Sequence, residues 1–120
     1  LVSFGSAMPL ALEAAKFLST INITVEVIDL RTLKPLDTKT ILNSVEKTKN
    51  LIVFEPGWKS FSISSEIIAF VCENIGNNLL NNPKRICWPD SHIPMSSPLE
   101  ENFYPSKNDL INEIKMILKK

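Results

Sequence analysis

Residues 25–45 read VEVIDLRTLKPLDTKTILNSV. Val25, Val27, Ile28 and Leu30 form a nearly continuous apolar run rich in β-branched residues, the pattern of a strand covered on both faces. The run predicts a strand over Thr24–Leu30. Pro35 then sets a turn. Asp37 is placed as a helix N-cap, able to accept hydrogen bonds from the amides of Lys39 and Thr40. Leu36 just before it and Ile41 four places after it have the spacing of a hydrophobic staple. Ile41, Leu42 and Val45 continue as a buried stripe. The stretch is therefore one half of a strand–helix–strand unit.

The same alternation continues on both sides. Leu1–Phe4 is β-capable, Gly5 and Ser6 break it, and Met8, Ala11, Leu12, Ala15 and Leu18 predict a helix over Ala7–Ser19, with Pro9 tolerable in its first turn. Leu51–Phe54 is a third strand, with Glu55-Pro56-Gly57-Trp58 as its exit turn. A helix over Ser62–Asn74 follows, closing near Gly76 as a C′ glycine. Its apolar residues Ile63, Ile67, Ile68, Phe70, Val71, Cys72 and Ile75 span a wider arc than one sheet contact requires, so a second side is expected to meet another domain or subunit. Lys84–Trp88 is a fourth strand, and Pro89–Pro105 is long, polar and proline-punctuated. Ser106 and Asp109 make a capping box before a stripe of Leu110, Ile111, Ile114, Ile117 and Leu118. Four alternations predict a three-layer α/β/α domain with a mainly parallel sheet of about four strands and right-handed crossovers. The 120 residues suit one domain, 1–120, and the abrupt start inside a strand is expected of a piece of a longer chain.

Composition excludes several functions. Thirteen basic residues balance thirteen acidic ones, which argues against a nucleic-acid partner. Apolar runs are too short for a membrane helix. Cys72 and Cys87 form no CxxC pair and His92 is the single histidine, so a structural zinc site is not expected. The two thiols read as buried and free. There is no GxGxxG or GxxxxGK[ST] phosphate cradle. Sites in such sheets collect at the carboxyl ends of the strands. There the candidates are Arg31, Glu55 and Asp90, as an anion site or an interface ion pair. Glu55 as a general base and His92 in a triad with Asp90 and Ser91 are both weaker readings than caps, salt bridges and an exposed turn histidine. The residues themselves offer no catalytic constellation, no cofactor-binding set and no metal set.

Ile28-Asp29-Leu30-Arg31-Thr32, then Pro35 to Asp37, Glu55, Gly57-Trp58 and Ser65-Glu66-Ile67, resemble the C-terminal domain of the beta subunit of thiamin-diphosphate-dependent 2-oxo acid dehydrogenases. Trp88-Pro89-Asp90, Pro94, Leu99-Glu100, Phe103 and Pro105 continue the likeness in order and spacing. Where this family carries several glycines after the third strand, this chain has Lys59 to Ser64. The resemblance implies a transketolase C-terminal-like fold whose antiparallel edge strand would precede Leu1. It implies a non-catalytic assembly role. The partners would be a second beta subunit, an alpha subunit and a lipoyl acyltransferase core. The candidate interface is Trp58, Phe61, Ile63, Ile67 and Phe70. The whole enzyme, of pyruvate or branched-chain type, would use thiamin diphosphate and magnesium held outside this chain, in a bacterial cytoplasm or a mitochondrial or plastid matrix. The alternatives are the same domain of transketolase or deoxyxylulose phosphate synthase, or a stand-alone module holding a small anion at Arg31.

Overall fold

A computed structural model describes residues 1–119. The elements run β1 (Val2–Ser3), α1 (Met8–Ser19), β2 (Ile28–Asp29), α2 (Thr38–Thr48), β3 (Ile52–Trp58), α3 (Ile63–Ile75), β4 (Lys84–Trp88), α4 (Ser97–Glu101) and α5 (Lys107–Leu118). The sheet order is β2-β1-β3-β4 and every pairing is parallel.

Side-chain alternation along the sheet makes two cores. Ile52 and Phe54 face α1 and α5, where Ala11, Ala14 and Leu18 meet Leu110, Ile111, Ile114 and Ile117. Leu51 and Val53 face α2 and α3, where Ile41 and Val45 meet Ile67 and Val71. This is the three-layer α/β/α arrangement expected from the sequence. The chain steps one way from β1 to β2 and the other way from β2 onward. It carries α1 on one face and α2 and α3 on the opposite face, as connections of a single hand require.

Several boundaries differ from expectation. The strand expected over Thr24–Leu30 joins the ladder at Ile28–Asp29, paired with Val2–Ser3, and at its far end β1 gives way to a 3-10 turn at Gly5–Ala7. Leu1 and Ser3 carbonyls accept from the Ile28 and Leu30 amides at 2.9 and 3.0 Å, and the Leu1 amino group donates to the Glu26 carbonyl at 2.9 Å. Glu55–Trp58 is not an exit turn but the continuation of β3. Pairing with β4 slips between Phe54 and Trp58, the irregularity that accommodates Pro56, which has no N–H to give. Asp37 caps α2, but it accepts only from Thr40, at 3.1 Å from the amide and 2.7 Å from the hydroxyl, not from Lys39. Gly76 is not a left-handed C′ glycine: its φ is −53° and it leads into a 3-10 turn. Lys49 and Lys119 take the left-handed cap position in α2 and α5 instead. The box of Ser106 and Asp109 forms with both of its bonds. α4 arises inside the segment expected to be irregular.

α3 buries only part of its apolar arc on its own chain. Ile67 and Val71 are fully buried, and Ile63, Ile68, Phe70 and Ile75 are half-buried against the same core. Its exposed side is Glu66, Ala69, Cys72, Glu73 and Asn74. Cys72 is exposed rather than buried, since it falls on that outer side.

Candidate functional site at the carboxyl edge of the sheet

β1 and β3 are neighbours whose following helices lie on opposite faces, so the carboxyl ends of these two strands form the switch point where open α/β sheets bind ligands. Glu55 lies next to it and is 5% exposed. Its Oε1 accepts from the Ile63 amide at 3.2 Å and its Oε2 from the Ser64 amide at 2.8 Å. These are first-turn donors of α3 that have no partner inside the helix. A carboxylate there also complements the positive end of the helix dipole. Both oxygens are committed to a cap, so Glu55 does not stand free as a general base.

The neighbouring loops are fixed by similar bonds. Ser62 caps α3 by accepting from the Ser65 amide. Arg85, on β4, donates to the Lys59 carbonyl at 2.9 Å and to the Ser65 hydroxyl at 2.5 Å. The Cys87 thiol lies 3.4 Å from the Ser64 hydroxyl. Burial pushes this thiol's pKa up, and the charge of Glu55 pushes the same way. A thiol so placed is a poor nucleophile at neutral pH. Asp90 accepts from the Ser60 amide at 2.9 Å and its hydroxyl at 2.7 Å, which holds the carboxyl below the usual aspartate range. Trp58 donates from Nε1 to the Ser91 carbonyl at 3.0 Å, tying the β3 and β4 loops together.

An aromatic cluster closes the same edge. Trp88 meets Tyr104, Trp58 and Phe103 with ring centroids 5.2, 6.1 and 6.5 Å apart, all edge-to-face. Arg31 joins neither Glu55 nor Asp90. It pairs with Asp29 at the end of β2 at 2.7 Å, with its side chain 87% exposed. The three candidate ionic residues therefore do not converge: Glu55 caps α3, Asp90 pins Ser60, and Arg31 reaches back to Asp29. Among the proposed interface residues, Trp58 and Phe61 are exposed, Ile63 and Phe70 are half-buried, and Ile67 belongs to the core. His92 is exposed. Among the described residues no three His, Cys, Asp or Glu side chains could share a metal ion, and no helix is long and apolar enough to cross a membrane. Arg85 and Ser64 were not legible as parts of this edge, although alternation along KRICW places Arg85 and Cys87 on one face.

Residues 1–110 match the family described as "Transketolase, C-terminal domain". The chain belongs to that family. Pyruvate dehydrogenase E1 component subunit beta of Rickettsia conorii is 38% identical over 98% of this chain, which covers 36% of that protein. The Rickettsia bellii counterpart is 40% identical over the same shares. The mitochondrial beta subunit of Homo sapiens is 38% identical over 98% of this chain and 33% of its own length. This transketolase C-terminal domain thus spans about a third of the curated relatives it matches. A solved "Split gene transketolase, inactive beta4 tetramer" superposes with a TM-score of 0.81 at 22% identity, over 98% of this chain and 38% of that one. That likeness supports the fold.

Proposed function

We propose that this chain is the non-catalytic assembly domain of the beta subunit of a pyruvate dehydrogenase decarboxylating component. The observation that carries the reading is the likeness of nearly the whole chain to pyruvate dehydrogenase beta subunits. The whole enzyme oxidatively decarboxylates a 2-oxo acid and acylates lipoyl groups. Pyruvate is favoured over a branched-chain acid by the names of those relatives. Thiamin diphosphate and magnesium are assigned to other domains of the assembly. The geometry supports this division of labour, since Glu55 and Asp90 are committed to holding loops and Cys87 is a shielded thiol. The partners are a second beta subunit, an alpha subunit and a lipoyl acyltransferase core, in a bacterial cytoplasm or an organelle matrix.

The assembly role draws support from apolar groups left on the carboxyl-edge loops. Trp58 is 51% exposed and Phe61 fully exposed. Phe61 also holds a left-handed φ of +52°, unfavourable for a bulky residue. Keeping an exposed ring in such a backbone is consistent with selection for a contact outside the chain.

The test has two arms. The isolated chain, supplied with thiamin diphosphate and magnesium, releases no carbon dioxide from pyruvate; release would sink the reading. In the complete beta subunit co-expressed with its alpha subunit, the double substitution Trp58→Ala and Phe61→Ala shifts sedimentation toward smaller species. An unchanged sedimentation profile removes these two residues from the interface.

A further inference from the structure

A cleft of about 380 Å³ opens at the switch point itself, on the α1 side of the aromatic cluster. Five segments build it: Ser6 and Ala7 after β1, Leu10 of α1, Phe54 and Pro56 of β3, Trp88 of β4, and Tyr104-Pro105 before α5. The β1 and β3 exits converge there. A Cβ placed on Gly5, whose φ is +56°, would lie 3.7 Å from the Pro56 ring. The volume falls within the range of small-molecule pockets, and the position is where such sheets bind ligands.

The lining states what kind of ligand fits. None of the eight residues is charged. An anion entering the cleft would lose hydration without gaining a charged partner, and the Glu100 carboxylate, which accepts from the Tyr104 hydroxyl at 3.3 Å, would repel it. Trp88 and Tyr104, edge-to-face at 5.2 Å and 62°, both line the cleft, a wall whose chemistry suits a third aromatic group in an offset or T-shaped contact. Phe54, Pro56, Pro105 and Leu10 complete apolar walls. The Ser6 hydroxyl, on an exposed residue, supplies a hydrogen-bonding group. We infer that this cleft is a binding site for a neutral, planar aromatic molecule of one or two fused rings bearing one hydrogen-bonding group. The inference does not rest on the assembly role. Trp88 is also the neighbour of Trp58, so an occupant would touch the cluster that ends at the exposed edge.

Indole is a suitable probe, with inorganic phosphate as the charged comparison. In proton–nitrogen NMR spectra of the full chain, indole shifts the Trp88 side-chain N–H and the Ala7 and Leu10 amides along one saturable curve. The dissociation constant is about 1 mM or tighter. Phosphate leaves those signals in place. Ser6→Phe fills the cleft from an exposed position and weakens indole binding at least tenfold while leaving the thermal midpoint unchanged. Tyr104→Ala removes a wall and weakens it at least fivefold, which keeps the test open if Ser6→Phe misfolds. Shifts that never saturate, that scatter over the surface, or that survive in every folded variant overturn the inference, as does a response to phosphate at the same residues.

Discussion

Glu55 shows how a single side chain sets the chemistry of this edge. In the sequence it stands at a strand exit, where a carboxylate reads as a cap or salt-bridge partner ahead of a general base. In the fold its two oxygens satisfy the Ile63 and Ser64 amides at the start of α3. Glu55→Ala leaves those donors without a partner, the Ser64 amide in a buried residue, and should cost about 2–3 kcal/mol, seen as a lower denaturation midpoint in urea. Glu55→Gln keeps an acceptor and should cost less. Asp90 makes a pH prediction. Its carboxyl titrates below the usual range because the Ser60 amide and hydroxyl bond its charged form. The folded state therefore takes up this proton less readily than the unfolded state. The stabilisation is present above the ordinary aspartate pKa of about 3.9 and is lost as pH falls through the depressed value. The thermal midpoint of Asp90→Asn should accordingly fall less steeply than that of the parent between about pH 5 and pH 3, limits about one unit either side of the ordinary value. An identical slope would show that the Ser60 contact carries no linkage.

Among the elements, the β3–α3 connection departs most from what its residues suggest. Pro56 and Gly57 read as a turn, yet the strand continues through them because the slip in pairing with β4 absorbs the proline. The true turn comes later, at Phe61, which takes the left-handed conformation without being glycine. Phe61→Gly relieves that backbone at a position whose ring buries nothing in this chain. The left-handed conformation costs an L-residue about 1–2 kcal/mol, and glycine's extra unfolded-state freedom offsets about half of that. Stability should therefore hold or rise by up to about 1 kcal/mol in chemical denaturation, while association of the complete subunit weakens. A clear loss of stability would mean that the ring packs within the chain after all. α3 itself carries a related lesson. Half-buried Ile63, Ile68, Phe70 and Ile75 lean on the same core as Ile67 and keep part of their apolar surface outside it. Arc width alone does not separate a helix packed beside α2 on the sheet from one awaiting another subunit.

At the scale of the whole molecule, β3 joins the two cores. Ile52 and Phe54 serve one face, Leu51 and Val53 the other, so neither core stands without the strand they share. Unfolding should be a single cooperative step, with tryptophan fluorescence and far-ultraviolet circular dichroism giving coincident urea transitions. Ile41→Ala on one face and Leu110→Ala on the other should each move both signals together, by about 2–5 kcal/mol. Separate transitions would mean that the faces unfold independently. The sequence by itself determined the layer order, the parallel sheet, the caps at Asp37 and Ser106 and the family. Those features depend on periodicity and on bonds between residues a few positions apart, which a linear reading contains. The tertiary structure alone decided that Arg31, Glu55 and Asp90 stay apart, that Cys72 faces outward, and that five distant segments enclose an uncharged cleft beside Trp88. Those outcomes depend on which strand ends are brought side by side and on where each side chain finds its partner. The sheet order β2-β1-β3-β4 settles the first, and the packing of each helix on its face settles the second.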